Sequence, residues 1–248
     1  MKAAEIFDQI GQQIAAHYKA SGFKYSKKWG VKKTTDEYEY SIRFHSADGN
    51  SKTRIALFTT FVISCKTVKS DWNTPTGLIS FSLWDLGYYY EIGDTHSLEE
   101  VYADICRHAD ILFIPFISIF ENHADAYQDE WVQQGFLGKI PADLYHYPQL
   151  DYTTHKHYWA GSQFLAEHNE FGFTISLRYI LEKFGKHQAE KCLNNYYQSL
   201  NEESKKYFLQ AYQAEKISTT QPWDCGDQHT PDVEIVKYAI KQGLLLNS

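Results

Sequence analysis

The sequence lacks the short motifs that identify many enzyme families. Its four cysteines stand far apart and form no C-x-x-C pair, which excludes a zinc ribbon and a dithiol redox motif. It contains no G-x-S-x-G, no P-loop and no Rossmann glycine pattern, so neither a nucleophile elbow nor a phosphate-binding glycine loop is predicted. The four thiols are Cys65, Cys106, Cys192 and Cys225, and we expect them to be isolated and buried.

Long hydrophobic runs are also missing. The most apolar stretch, residues 111–120 (ILFIPFISIF), has about half of the roughly 20 residues that a membrane span needs, and Pro115 interrupts it. The first residues, MKAAEIFDQIGQQIAAHY, carry acids and glutamines where a signal peptide has an unbroken apolar segment. We therefore expect a cytoplasmic protein without a membrane partner, in which residues 111–120 are buried in the core.

What the chain does contain is aromatic residues and a clear order of elements. With 248 residues, 43% hydrophobic and 16% aromatic, it is long and apolar enough for a real core built from large rings. Apolar residues at helical spacing predict a helix over 3–20, ended by Ser21-Gly22. Alternating patterns predict antiparallel strands at 23–34, 37–45, 54–65 and 78–84, and a fifth at 88–92.

Beyond residue 93 the period becomes helical. Ser97 and Glu100 form a capping-box pattern that predicts the start of a long helix, which runs to about residue 134 and has a kink at Pro115. Further helices are predicted at 163–168, 175–184, 186–200, 202–216 and 231–240, with connecting segments at 141–161 and 221–230. The fold class is α+β: an N-terminal helix and an antiparallel β-meander of four to five strands, followed by a mostly helical C-terminal half. The corresponding division is 1–95 and 96–248, packed as one globular unit.

Charge is distributed unevenly along the chain. Residues 1–70 carry 12 Lys and Arg against 6 Asp and Glu, whereas residues 71–151 carry 2 against 14. An acidic block of this size costs self-repulsion in the folded state and is suited to solubility or to docking a basic surface. The acidic block therefore does not favour nucleic acid as its ligand.

The acidic helix is the candidate binding site. Glu121, Asp125 and Asp129 recur every four residues and so predict one negative stripe, with two aromatic residues, Tyr127 and Trp131, in the same turns as interface anchors. The remaining candidate partner-binding acids are Glu99, Glu100, Asp104 and Glu130. The alternative is that Arg107, Lys139 or the basic N-terminal strands neutralise the stripe within the fold.

Two other clusters suggest different chemistry. Lys24, Lys27, Lys28, Lys32 and Lys33 interleave with aromatic residues, a pattern that suits nucleic-acid binding but also an edge hairpin whose lysines prevent aggregation, and we favour the hairpin. His146, His155 and His157 lie near two aspartates, and this segment is the basis of the alternative function, a metal-dependent hydrolase. No H-E-x-x-H motif accompanies them, so we predict no metal, no cofactor and no catalytic residue.

The helix that ends in Ser21-Gly22-Phe23-Lys24, the Lys-rich hairpin and the strand with Phe61-Val62-Ile63-Ser64 resemble small bacterial proteins of unknown function, some of which are similar to immunity proteins of polymorphic toxin systems. The resemblance covers the chain to about residue 90 and implies no catalytic residues. It implies a non-enzymatic protein that neutralises a basic toxin, such as a nuclease. That expectation agrees with the charge distribution, because an acidic inhibitor is steered to a basic active face.

Overall fold

The computed structural model describes residues 2–28, 30–46, 50–51, 54–70, 72–83, 90–93, 96–133, 135, 137–140, 171–213 and 233–246. The chain divides into two compact units, which are described separately. Unit 1 comprises Met1–His123 and Lys139–Gly172, and unit 2 comprises Ala124–Gly138 and Phe173–Ser248. The fold is α+β, as predicted. The division at residues 95 and 96 follows element type rather than contacts, and it stays a prediction.

Unit 1 opens with the predicted amphipathic helix, α1 (Ala3–His17). The chain then forms a short 3-10 turn (Lys19–Ser21) and leaves it at Gly22, whose φ of 88° is a left-handed value that glycine adopts without strain. The predicted stop is therefore confirmed. The apolar face of α1 that is buried includes Ile6, Ile10 and Ile14.

The sheet of unit 1 is an antiparallel meander. Its strands are β1 (Lys24–Ser26), β2 (Gly30–Thr34), β3 (Tyr38–Ser46), β4 (Ile55–Lys69), β5 (Pro75–Ser82) and β6 (Tyr90–Ile92). The first five pair in chain order, and β6 pairs with the start of β4. In the register of β3 and β4, Tyr40 lies opposite Ile63 and Ile42 opposite Phe61, all fully buried. The alternation that predicted these strands thus places one apolar face in the core.

The lysines of the first hairpin do not all protect a sheet edge. Lys27 and Lys28 lie in the turn between β1 and β2, whereas Lys32 lies in β2, with β1 on one side and β3 on the other. Lys32 Nζ is 2.6 Å from Glu39 Oε2 on the neighbouring strand. Edge protection is therefore the wrong interpretation for Lys32, which forms a cross-strand ion pair.

The predicted long helix is present, but with two wider turns in it. Helix α2 (Leu98–His108) is followed by a π turn (Ala109–Phe113), α3 (Ile114–Ser118) and a second π turn (Ile119–His123). Pro115 has no N–H to donate to the carbonyl four residues earlier, so regular α-helical bonding is interrupted at this place. Where the sequence predicts a kink, the structure thus has a π turn on each side of a short α-helical segment.

The core of unit 1 joins this helical segment to the sheet through aromatic rings. The ring centroid of Phe61 on β4 lies 5.0 Å from that of Phe113 and 5.1 Å from that of Phe81, which in turn is 5.8 Å from Phe116. Burying each such ring contributes on the order of 2–3 kcal/mol. The predicted burial of residues 111–120 is confirmed by the following residues, each at most 4% exposed: Leu112, Phe113, Phe116, Ile117, Ile119 and Phe120.

Unit 2 is mostly helical. Its helices are α4 (Ala124–Gln133), α5 (Leu177–Phe184), α6 (Lys186–Ser199), α7 (Glu202–Gln213) and α8 (Val233–Gln242). Asn201 caps α7 as predicted, because its Oδ1 accepts a 2.8 Å hydrogen bond from the Ser204 amide. Two short paired strands, β7 (Leu137–Ile140) and β8 (Phe171–Thr174), each have residues in both units, and the sequence analysis did not predict them. The predicted helix at 163–168 and the segments 141–161 and 221–230 lie outside the described residues.

Three of the four cysteines are described. The thiols of Cys65 and Cys106 in unit 1 and of Cys192 in unit 2 are buried, as the sequence predicts, and no disulfide joins these described cysteines. Cys225 lies outside the described residues. Burial raises the pKa of the Cys106 thiol to about 11, so this group stays protonated at neutral pH. Cys106 therefore acts as a small apolar residue rather than as a nucleophile.

Candidate functional site

The acidic site begins at the N-terminal end of α2, where Glu99 and Glu100 are exposed. The predicted capping box is confirmed: the Glu100 amide donates to Ser97 Oγ at 3.2 Å, and the Ser97 amide donates to Glu100 Oε2 at 2.7 Å. The hydrogen bonds from Ser97 lower the pKa of Glu100 and keep it ionised. Both carboxylates also lie at the positive end of the helix dipole, which stabilises their charge.

One helical turn later, Asp104 is compensated by its neighbours. Arg107 Nε donates to Asp104 Oδ1 at 3.0 Å, and the hydroxyl of Tyr90 on β6 donates to the other carboxylate oxygen at 2.6 Å. The carbonyl of Asp104 accepts from the ring of buried His108 at 2.7 Å. Asp104 therefore has a structural role within unit 1, and its charge is largely neutralised by Arg107.

Asp110 is an exposed acid that the predicted site did not include. Its Oδ1 accepts a 2.7 Å hydrogen bond from the Tyr18 hydroxyl, whose pKa is raised by burial. It follows Glu99 by eleven residues, about three turns, so both lie on the same side of the helix, about 16 Å apart along its axis. Within the described part of the chain, no Lys or Arg forms an ion pair with Glu99, Glu100 or Asp110.

Glu121, the first residue of the predicted stripe, is paired inside unit 1. Lys33 Nζ on β2 lies 2.8 Å from Glu121 Oε1, and both side chains are largely covered. Here the alternative interpretation holds, in which the basic N-terminal strands neutralise the acidic helix. Glu121 can therefore bind a cationic partner only if its ion pair with Lys33 breaks.

In unit 2 the predicted site residues have different environments. Asp129 on α4 is exposed, but Trp131 is 0% exposed, and its ring centroid lies 6.4 Å from those of Tyr179 and Phe184 on α5. The structure thus places Trp131 in the core rather than on the surface, because its large apolar ring gains more from burial than from exposure. The side chains of Asp125, Tyr127 and Glu130 lie outside what the structure describes.

The histidine cluster of the alternative function, His146, His155 and His157, also lies outside the described residues. Among the residues that the structure does describe, no group of three His, Cys, Asp or Glu side chains is arranged to hold a metal ion. Within the same residues, no helix has both the length and the apolar character that crossing a bilayer requires.

Sequence reasoning missed a second feature of unit 1, a cavity of about 320 Å³ where α1 meets the first three strands. Lys27 and Lys28 belong to the lysine pattern that suits nucleic-acid binding, and they line this cavity together with Arg43 from β3. The signal in the sequence is weak, since Arg43 stands among alternating residues like any other half-exposed strand residue.

The acids of the helical segment thus form two groups: Asp104 and Glu121 are paired with cations, and Glu99, Glu100 and Asp110 are exposed without one among the described residues. The exposed group can offer fixed negative charge to a cationic surface. No protein-family model, curated protein or solved structure matches this chain.

Proposed function

We propose that this protein is a non-enzymatic inhibitor that binds a basic protein partner, as immunity proteins bind toxins, through the exposed acids of α2 and of the π turn after it. The observation that carries the proposal is the exposure of Glu99, Glu100 and Asp110 on one helical segment, where none of them forms an ion pair with a described Lys or Arg. We call these three residues the α2 acidic surface. The partner's chemistry follows from them: it presents lysines or arginines.

The charge of the segment supports this proposal. Residues 98–133 contain eight Asp and Glu and a single Arg, so the cations of the segment itself cannot neutralise it. Like charges along a helix cost a few tenths of a kcal/mol per pair, and a basic partner relieves that cost on binding. For a toxin that attacks nucleic acid, an acidic inhibitor would also cover the surface that binds phosphate.

Charge reversal tests the proposal. The protein is used to capture its basic partner from the native cell, and association of the purified pair is followed by stopped-flow fluorescence. Glu99→Lys with Asp110→Lys is expected to slow association at least about tenfold, because steered association depends on local charge complementarity. Thermal unfolding is expected at a somewhat lower temperature, because Glu99→Lys loses its favourable interaction with the helix dipole. Asp110→Lys removes one acceptor of the Tyr18 hydroxyl, which can still donate to the Cys106 carbonyl at 3.0 Å.

A matched control separates the surface from net charge. Asp36→Lys with Glu182→Lys makes the same change in net charge at two exposed acids that do not belong to the α2 acidic surface and form no ion pair among the described residues. It is expected to slow association less than about threefold. Equal slowing by both double variants would assign the effect to net charge. Association that neither variant alters would refute the α2 acidic surface as the binding site.

The stripe predicted from the sequence, Glu121, Asp125 and Asp129, offers a poorer test of partner binding. In Glu121→Lys the new ammonium group would face Lys33, which now lies 2.8 Å from the Glu121 carboxylate, so a loss of binding would be mixed with a loss of stability. Asp129→Lys is the cleaner variant from that set, because Asp129 is exposed and has no ion pair among the described residues of unit 2. The metal-dependent hydrolase stays an untested alternative.

A further inference from the structure

The cavity of unit 1 lies between the first turns of α1 and the strands β1, β2 and β3, and its volume is about 320 Å³. Pockets that hold small organic molecules start at about this size. Ala4, Phe7 and Asp8 line it from α1. The cavity is therefore large enough for a ligand of mononucleotide size.

Three half-buried aromatic rings, Phe7, Tyr25 and Phe44, line the cavity. Two of them approach α1 closely at Gly11, where an added Cβ would lie 2.6 Å from Tyr25 Cδ2 and 3.3 Å from Phe44 Cε2. Glycine inside a helix costs about 1 kcal/mol relative to alanine, and here it leaves room for these rings. Apart from the parts that pack against α1, the rings that line the cavity offer flat apolar surface on which a planar ring can stack.

The charged residues of the cavity are mostly cationic. Lys27 and Lys28 are exposed in the turn between β1 and β2, and Arg43 is half-buried on β3. Arg43 is oriented by a hydrogen bond of 3.2 Å from its Nε to Ser41 Oγ. Against these three cations the cavity has one carboxylate, Asp8, which leaves an excess of two positive charges.

Asp8 does not cancel this excess, because it is already engaged. The Tyr25 hydroxyl donates a short hydrogen bond to Asp8 Oδ1, and Lys27 Nζ lies 3.3 Å from Oδ2. The hydrogen bond from Tyr25 is the main cause that lowers the pKa of Asp8, while burial and Asp8 raise the pKa of Tyr25 to about 12. Asp8 therefore holds Tyr25 and pairs with Lys27, and among the residues that line the cavity the cations outnumber the carboxylate by two.

His45 adds a ring that can donate or accept a hydrogen bond. Its ring stacks on Phe58 of β4, with centroids 5.0 Å apart and an angle of 18° between the planes. Burial, and to a lesser degree Arg43, lowers the pKa of His45, so its ring is neutral at pH 7. The charges that face a ligand at neutral pH are therefore those of the two lysines, Arg43 and Asp8.

We propose that this cavity binds an aromatic phosphate monoester, the chemistry of a mononucleotide, with the ring stacked on Phe7 or Phe44 and the phosphate held by Lys28 and Arg43. A phosphate dianion matches the excess of two positive charges, and the planar guanidinium of Arg43 suits two phosphate oxygens. The same chemistry is present in a free mononucleotide and in the terminal nucleotide of a single strand. This site is independent of the α2 acidic surface.

Calorimetric titration of the full chain with adenosine 5′-monophosphate, adenosine, inorganic phosphate and a short oligoadenylate with a 5′-phosphate tests the proposal. Adenosine 5′-monophosphate is expected to bind at least about tenfold more tightly than adenosine or phosphate. The stacking of its ring and the contacts of its phosphate with the cations each contribute to the affinity. Arg43→Gln and, separately, Lys28→Gln are expected to weaken its binding about tenfold. Lys24→Gln, which removes an exposed cation of β1 outside the cavity, should change it less than about twofold.

Each outcome bears on the proposal. Tighter binding of the oligoadenylate than of the mononucleotide identifies a strand end as the ligand, and equal or weaker binding identifies the free nucleotide. Binding of adenosine or phosphate as tight as that of the monophosphate would overturn the proposal, as would no binding of any probe at millimolar concentration. If Arg43→Gln does not fold, Lys28→Gln in the exposed turn decides, and binding that this variant leaves unchanged would also overturn it.

Discussion

Gly30 shows how a single residue fixes the first hairpin of the sheet. It begins β2 with a φ of 73°, in the left-handed region, and an added Cβ would overlap the carbonyl oxygen of Ile42 on β3. Both the backbone angle and the close approach of the two strands therefore require glycine. This turn also carries Lys27 and Lys28 into the cavity.

Gly30→Ala is expected to lower the free energy of unfolding by at least about 2 kcal/mol, from backbone strain and from the forced separation of β2 and β3. Urea-induced unfolding followed by circular dichroism measures the loss. Gly77→Ala is the matched control, because Gly77 on β5 has ordinary backbone angles and no atom within 4 Å of its added Cβ. A loss of equal size in both variants would show that the cost is not specific to the β2 turn.

His108 makes stability depend on pH. Its side chain is fully buried, and burial lowers its pKa below 6.5, although Asp104 acts in the opposite direction. The unfolded chain then binds a proton more readily than the folded chain, so the stability present above pH 6.5 declines as the pH falls below that value. Unfolding in urea at several pH values is expected to show a smaller decline in His108→Gln than in the parent. His187→Gln changes an exposed histidine and is the control, which should show the same decline as the parent. A decline in His108→Gln as large as that of the parent would contradict this role.

Helix α2 begins with a side-chain cap that α5 lacks. The Ser97 side chain accepts a hydrogen bond from the Glu100 amide, whereas Ser176 precedes α5 at the equivalent position without a side-chain cap. The two serines thus form a natural pair for measuring what the cap contributes. The comparison also bears on function, because the cap holds Glu100 at the α2 acidic surface.

Ser97→Ala is expected to destabilise the protein by about 1 kcal/mol, and Ser176→Ala by no more than a few tenths of that value. Hydrogen exchange of the amides in α2 and α5 locates each effect in its own helix. Equal protection of α2 in the parent and in Ser97→Ala would mean that the capping box adds nothing to the helix.

The elements also show how far sequence reasoning reaches. The starts of α1, α2 and α7 follow from local capping and periodicity, and the structure confirms them. The pairing of β6 with the start of β4 and of β7 with β8 was not predicted, because strand pairing is decided by contacts distant in sequence. The site was only partly predictable for the same reason. Spacing correctly put Glu121 and Trp131 on a helix, but only the tertiary fold shows that Lys33 neutralises one and that α5 buries the other.

Opposite charges lie in neighbouring stretches of the sequence. The basic first third and the acidic middle third meet within unit 1 at the ion pair of Lys33 and Glu121. Other charged residues of unit 1 do not pair with each other in this way. Exposed acids remain on α2, and cations line the cavity. The described residues of unit 1 therefore form the α2 acidic surface and a cavity with an excess of cations. The first predicts a cationic ligand and the second an anionic one.

The dependence of association on salt shows whether the α2 acidic surface binds the basic partner. Raising the salt from 0.1 M to 1 M shortens the screening length from about 10 Å to about 3 Å. The stopped-flow association rate of the parent with its basic partner is expected to fall at least about tenfold over this range, while the dissociation rate changes much less. The Glu99→Lys, Asp110→Lys variant should lose most of that salt dependence. An association rate that stays constant from low to high salt would refute binding through the α2 acidic surface. The acidic segment would then serve solubility only.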